Sequence, residues 1–194
     1  MSTLDEEERR EYYRIDDRIA LEIRALTDSE ARDTELLQDD SPLFNLLSEL
    51  HLSEFESQHL LRQISETDRA LAAFLKAQNK RIDLLSQLVA QTLTSRIGEP
   101  QPVTLSEGGV TFTQDKPLLP DTPLSIKMAL MPQALGLLLR ARVVHCYDID
   151  GRFEIGTEFV SLADAQRQLL ARYILQKQQL ERRLAREQEE LPVP

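Results

Sequence analysis

Residues 18–26, RIALEIRAL, alternate along the chain: Ile19, Leu21, Ile23 and Ala25 on one face, mostly charged residues on the other. That period predicts a half-buried β-strand. A polar stretch, TDSEARD at 27–33, follows it. Then the period lengthens. Residues 34–97 contain one proline, Pro42, and no glycine. Ser41-Pro42 fits an N-cap with a first-turn proline, and predicts a short helix over about 42–50. Ser53, with Glu56 three residues on, fits the cap of a second, long helix. That helix is expected to run to about Arg96, before Gly98 and Pro100.

The long helix carries a heptad. Leu61, Ile64, Asp68, Leu71, Leu75, Gln78, Ile82, Leu85, Val89 and Thr92 step by alternating threes and fours, with Asp68 and Gln78 as polar breaks. Leu60, Phe74 and Leu88 widen the stripe on one flank. The pattern suits a coiled coil or an amphipathic helix packed on its own domain. A helix of about 44 residues spans roughly 65 Å, longer than so small a domain. Self-association through residues 53–97, as a dimer or tetramer, is the expectation.

From Pro102 the period returns to two. Residues 102–105, 110–113, 123–130, 137–146 and 152–160 read as strands. Turns separate them at Glu107-Gly108-Gly109, Pro117–Pro123, Pro132–Gly136 and Asp148–Gly151, with Asp150-Gly151 a hairpin signal. Residues 163–190 are helical again, with Leu169, Leu170, Tyr173, Ile174 and Leu180 on the apolar face. Short strands with tight turns imply an antiparallel barrel or sandwich. One strand lies on the far side of the helical block from the rest. The class is therefore α+β: a β domain with a helical insertion after its first strand and a helix at its end. The expected divisions are 1–30, 31–98, 99–176 and 177–194.

The 194 residues carry a net charge of −10. That disfavours broad binding to nucleic acid. The first eight residues are acidic, unlike a secretory signal. The most apolar later stretch, 128–139, is too short for a membrane span. A single Cys146 fits a reducing compartment. A cytoplasmic protein without membrane insertion is expected.

No catalytic or metal constellation stands out. His51 and His59 lie two helical turns apart, and His145 and Cys146 point to opposite faces of a strand. All are expected to be structural, and neither an enzyme nor a metal protein is expected. Two stretches remain. RREYYRIDDR, 9–18, brings Arg9, Arg10, Arg14 and Arg18 together. Guanidinium forks match phosphate oxygens and the O6/N7 edge of guanine. They also suit a solvated segment paired with its own acids. LSEGG, 105–109, lies at a strand turn, where glycines permit positive φ or close backbone approach.

RREYYRID followed by LSEGGVTF resembles the PilZ family, whose bacterial members bind cyclic di-GMP. Arg10 and Arg14 match the family's RxxxR. Thr104, Ser106 and Gly109 fall on its [D/N]xSxxG, with Thr104 where the family has Asp or Asn. Arg142-Val143-Val144 and 154–159, EIGTEF, extend the likeness. It covers 8–26 and 101–176. The resemblance implies a six-stranded antiparallel barrel with a C-terminal helix. It implies Arg10 and Arg14 as the main contacts to cyclic di-GMP, Arg9 as added charge, and Thr104, Ser106 and Gly109 as the opposing wall. A receptor signalling to a partner protein by conformational change follows; the alternative is a PilZ scaffold that oligomerises without binding nucleotide.

Overall fold

The protein is described as a computed structural model over residues 13–32, 37–133 and 135–189. Arg9 and Arg10 lie outside the described residues, as does Tyr12.

Six strands close into one antiparallel barrel. They are β1 (Arg14–Ala25), β2 (Gln101–Ser106), β3 (Gly109–Gln114), β4 (Pro123–Leu130), β5 (Leu135–Ile149) and β6 (Arg152–Val160). The order around the barrel is β1-β2-β3-β6-β5-β4. β1 is long enough to serve two neighbours. Arg14 to Ile19 pair with β2, and Ala20 to Ala25 pair with β4. The expected strand at 18–26 therefore begins earlier, and Arg14 lies within it. Asp150 and Gly151 both take positive φ, 54° and 82°, in the expected β5–β6 hairpin.

The inward side chains form one core. It includes Ile15, Ile19, Leu105, Phe112, Leu124, Ile126, Met128, Leu139 and Ile155. One end is closed by α4 (Asp164–Glu189), which contributes Leu169, Leu170, Tyr173 and Ile174. Asp17, near the start of β1, has its side chain largely buried. It accepts a hydrogen bond from the Tyr173 hydroxyl and pairs with Lys177 Nζ at 2.6 Å. Burial, then the Asp17 carboxylate, hold the Tyr173 phenol well above its ordinary pKa.

The segment between β1 and β2 is helical throughout most of its length. The polar stretch after β1 folds into a short α1 (Asp28–Arg32), closed by Thr27 N–H and Glu30 Oε2 at 2.9 Å. Then come α2 (Pro42–Thr67) and α3 (Arg69–Ile97). Ser41 caps α2 as expected, its Oγ accepting from Phe44 N–H at 3.4 Å.

The expected break at 50–53 and the single helix over 53–97 are both overturned. α2 runs unbroken through Ser53, because nothing from Leu50 to Ser53 removes a backbone donor or forces an extended residue. The break lies at Asp68, which is extended at φ −141° and ψ 100°. Its Oδ1 accepts from Ala70 N–H and Leu71 N–H, both at 3.0 Å, capping α3. The two helices fold back on each other, with Leu50, His51 and Ser57 of α2 and Asn79, Asp83 and Ser86 of α3 lining one cleft between them.

The hairpin lies on the outside of the barrel. Phe44, Leu47, Ala90 and Ile97 pack on Ala20 and Ala129, which face each other across β1 and β4. Ser48 Oγ donates to Gly136 O at 2.9 Å. Lys127, on the outer face of β4, is buried beneath this contact. Its Nζ pairs with Asp39 at 2.8 Å and lies 5.0 Å from the centre of the Phe44 ring.

Candidate ligand-binding site

The outer wall of the barrel carries a cavity of about 400 Å³. Arg14, Thr104, Ser106 and Gly109 all line it. Strand register brings them together: Arg14 stands opposite Ser106 on β2, and Ser106 opposite Gly109 on β3. Arg14 is the first residue of β1, and its neighbour Tyr13 is 67% exposed. Arg18, two turns of the alternation further on, is tied elsewhere, donating to Pro100 O at 2.8 Å.

The Ser106 hydroxyl is committed to its own turn. It accepts from Gly108 N–H at 3.3 Å and Gly109 N–H at 3.2 Å, and lies 3.2 Å from Gly109 O. It shapes the loop that forms the wall. Gly109 has a packing reason. A Cβ there would lie 1.9 Å from Thr157 O. The positive-φ glycines among the described residues are Gly98 and Gly151, so at Gly109 the need is for close approach of β3 to β6 and not for a left-handed turn. Thr104 donates from Oγ1 to Asp16 Oδ1 at 2.8 Å, across the β1–β2 pair.

Other walls were not among the expected ligand contacts, although Gly156, Thr157 and Glu158 belong to the EIGTEF stretch. His145, Gly156, Thr157, Glu158 and Arg167 also line the cavity. His145 reaches it through a β-bulge. Val143 pairs with Thr157 and His145 with Gly156, so Val144 is the extra residue. Val143 is buried in the core, and without the bulge His145 would share its inward face. The bulge turns His145 outward and Cys146 in toward the core. The imidazole lies over Gly156, where a Cβ would come within 2.0 Å of His145 Cε1. The Tyr147 ring stacks on it with centroids 4.8 Å apart. Histidine and glycine in this register are visible only once the bulge is known.

The charges in the cavity are mixed. Arg14 and Arg167 bring positive charge; Glu107 and Glu158 bring negative. Arg142 offsets Glu158 through hydrogen bonds from Nε and Nη2, and Arg142 Nη1 also reaches Asp121 at 3.4 Å. The wall thus presents one guanidinium at the β1 end and a second in the first turn of α4.

A family model described as the PilZ domain matches residues 76–176, just over half of the chain. The chain belongs to the PilZ family. The match takes in β2 to β6 with parts of α3 and α4, and leaves β1 outside. The fold agrees with a tetrameric PilZ-domain protein of Xanthomonas campestris that self-assembles via a helical bundle. The likeness covers 90% of this chain and 89% of that one, at 15% identity and a TM-score of 0.54. Shorter likenesses link this PilZ chain to two further proteins. One is the Bacillus subtilis inhibitor of motility MotI/DgrA, at 16% identity over 41% of each chain with a TM-score of 0.36. The other is the PilZ domain of Escherichia coli YcgR with c-di-GMP, at 19% identity over 47% of this chain and 82% of that one, with a TM-score of 0.35. No curated protein matches the chain.

Proposed function

We propose that this PilZ protein is a receptor for cyclic di-GMP that self-associates through its helical hairpin and signals to a partner protein by a change of shape. The observation that carries the nucleotide reading is the placement of Arg14 against the Ser106–Gly109 turn in one open cavity on the barrel wall. Arg10, four residues earlier, would complete a pair of guanidinium forks for the ligand's guanines and phosphates. Arg9 would add positive charge over a wall whose described charges nearly balance.

Self-association rests on a separate observation. Leu71, Phe74, Ile82, Leu85 and Leu88 of α3 lie on one face and are all exposed. The cleft shared with α2 is lined from α3 mostly by polar residues, Asn79, Asp83 and Ser86, with Ile82 at its edge. An apolar row left open along a helix suits burial against other chains. The Xanthomonas campestris protein of the same fold is a tetramer assembled via a helical bundle, and we carry that arrangement over to this chain.

One observation favours a second reading, a PilZ scaffold that assembles without nucleotide. Thr104 and Ser106 both spend their hydroxyls on intramolecular hydrogen bonds. Calorimetric titration of cyclic di-GMP into the wild type and Arg14→Ala separates the two. Binding weakened at least 10-fold by Arg14→Ala supports the receptor; a wild type that takes up no ligand supports the scaffold. A receptor whose affinity ignores Arg14 would contradict the clamp.

A further inference from the structure

The two adjacent aspartates of β1 have different fates. Asp17 points into the barrel end and is fully occupied by Tyr173 and Lys177. Asp16 points outward and is exposed. It shares a face of β1 with Arg14, two residues earlier, where side chains on one strand face repeat about every 7 Å. Among the described residues its side-chain hydrogen bond is the one accepted at Oδ1 from Thr104. Thr104 is itself a wall of the cavity and the direct cross-strand partner of Asp16. The pair is thus preset: a hydroxyl of the cavity wall orients a carboxylate on the neighbouring strand, one step from Arg14 along the same face, and among the described residues no hydrogen bond reaches its Oδ2.

We propose that Asp16 is a guanine-selecting residue of this site, a role that rests on the nucleotide reading above. A carboxylate offers two oxygens side by side, each with two lone pairs, so Oδ1 can hold Thr104 and still accept a second donor. The Watson–Crick edge of guanine offers two donors side by side, N1–H and N2–H, so the fit is two-point and charge-assisted. Adenine presents an unprotonated N1 at the same place, acceptor against acceptor. A carboxylate near a ligand carrying two phosphates is repulsive at range, so it favours binding only when its acceptors are met. That makes Asp16 a discriminator more than a source of affinity. A site built on a polar contact rejects the analogue that lacks it far more strongly than an apolar pocket rejects a size change.

The test is titration of wild type, Asp16→Ala, Thr104→Val and Arg14→Ala with cyclic di-GMP and cyclic di-AMP. Asp16→Ala is expected to weaken cyclic di-GMP about 10- to 100-fold and to leave or improve cyclic di-AMP, closing the gap between them. Thr104→Val, which frees the carboxylate without removing it, is expected to cost about 3- to 10-fold on cyclic di-GMP alone. Arg14→Ala is expected to weaken both ligands. Equal losses on both ligands in Asp16→Ala would overturn the selecting role, as would cyclic di-GMP binding within twofold of wild type. A wild type that binds neither ligand removes the receptor and this inference together. A wild type that binds while Asp16→Ala is unchanged removes only the inference. Asp16 is exposed, so its removal leaves the core intact, and unchanged melting of the variants checks this.

Discussion

At Gly109 the site and the fold share one constraint. The cavity wall is a two-strand turn, and its curvature depends on β3 lying close against β6 at Gly109. A methyl there would meet the Thr157 carbonyl at 1.9 Å, and backbone cannot swing aside as a flexible side chain does. Gly109→Ala is therefore expected to destabilise the barrel by about 3 kcal/mol or more, against about 1 kcal/mol for Ser106→Ala, which loses turn hydrogen bonds but no space. Thermal melting of both variants checks the order. A Gly109→Ala protein as stable as Ser106→Ala would show that the strands part without cost. The sequence indicated a glycine-rich turn at this place for a ligand's approach, and the structure gives the space to a neighbouring strand. A turn motif in sequence does not say which backbone needs the room.

Between elements, the junction of α2, α3 and α4 is a polar seam with two carboxyls shifted in opposite directions. Glu54 is held below the ordinary range, chiefly by the imidazole of His51, whose Nδ1 stands 3.7 Å from Glu54 Oε2. Asp83 is pushed up, chiefly by burial and then by the Glu54 charge. The linkage signs differ. Glu54 contributes stability above its unfolded value near 4.3, which is lost as pH falls through the lowered value. Asp83 binds its proton more tightly when folded, so stability falls as pH rises from about 3.9 through the raised value, and the penalty stays at neutral pH. Asp83→Asn is expected to melt higher than wild type at pH 7, with the gain fading toward pH 4; Glu54→Gln is expected to melt lower at pH 7. A matching sign in the two variants would mean the seam is not electrostatic. Elements were legible unevenly. β4 and β6 were read to the residue because their turns carry Pro123 and Asp150-Gly151. Asp68 showed in the sequence as a gap in the heptad, but aspartate interrupts a helix only when it caps the next one, and that depends on the chain folding back. The bulge at Val144 had no sequence signature, since one extra residue leaves composition and alternation almost unchanged on either side.

For the whole molecule, the heptad residues are divided between two helices, α2 and α3, and are not carried by one. Much of the apolar seam stays open: Leu71, Ile82 and Leu85 stay at 45%, 45% and 63% exposure, while Leu61, Ile64, Leu75 and Val89 are half-buried. The cleft between the helices is lined largely by polar residues, with Leu50 and Ile82. The other side of the hairpin is already anchored to the barrel by Phe44, Leu47 and the buried Lys127–Asp39 pair. With one face of the hairpin anchored on the barrel, the exposed apolar row on the other is the face that the proposed self-association would bury. Leu85→Glu combined with Leu88→Glu adds two charges to that row without touching the barrel contacts. The double variant is expected to run as a monomer in size-exclusion chromatography with light scattering, with its melting little changed, while the wild type runs as an oligomer. A monomeric wild type would overturn this reading of the row. An oligomer untouched by the two glutamates would move the interface elsewhere, with Leu175, Leu180 and Leu184 on α4 the next exposed apolar positions to replace. Because Arg14 and the cavity lie on the barrel wall and not on this row, the monomeric variant is also expected to keep the wild-type affinity for cyclic di-GMP, which separates assembly from ligand recognition in one protein.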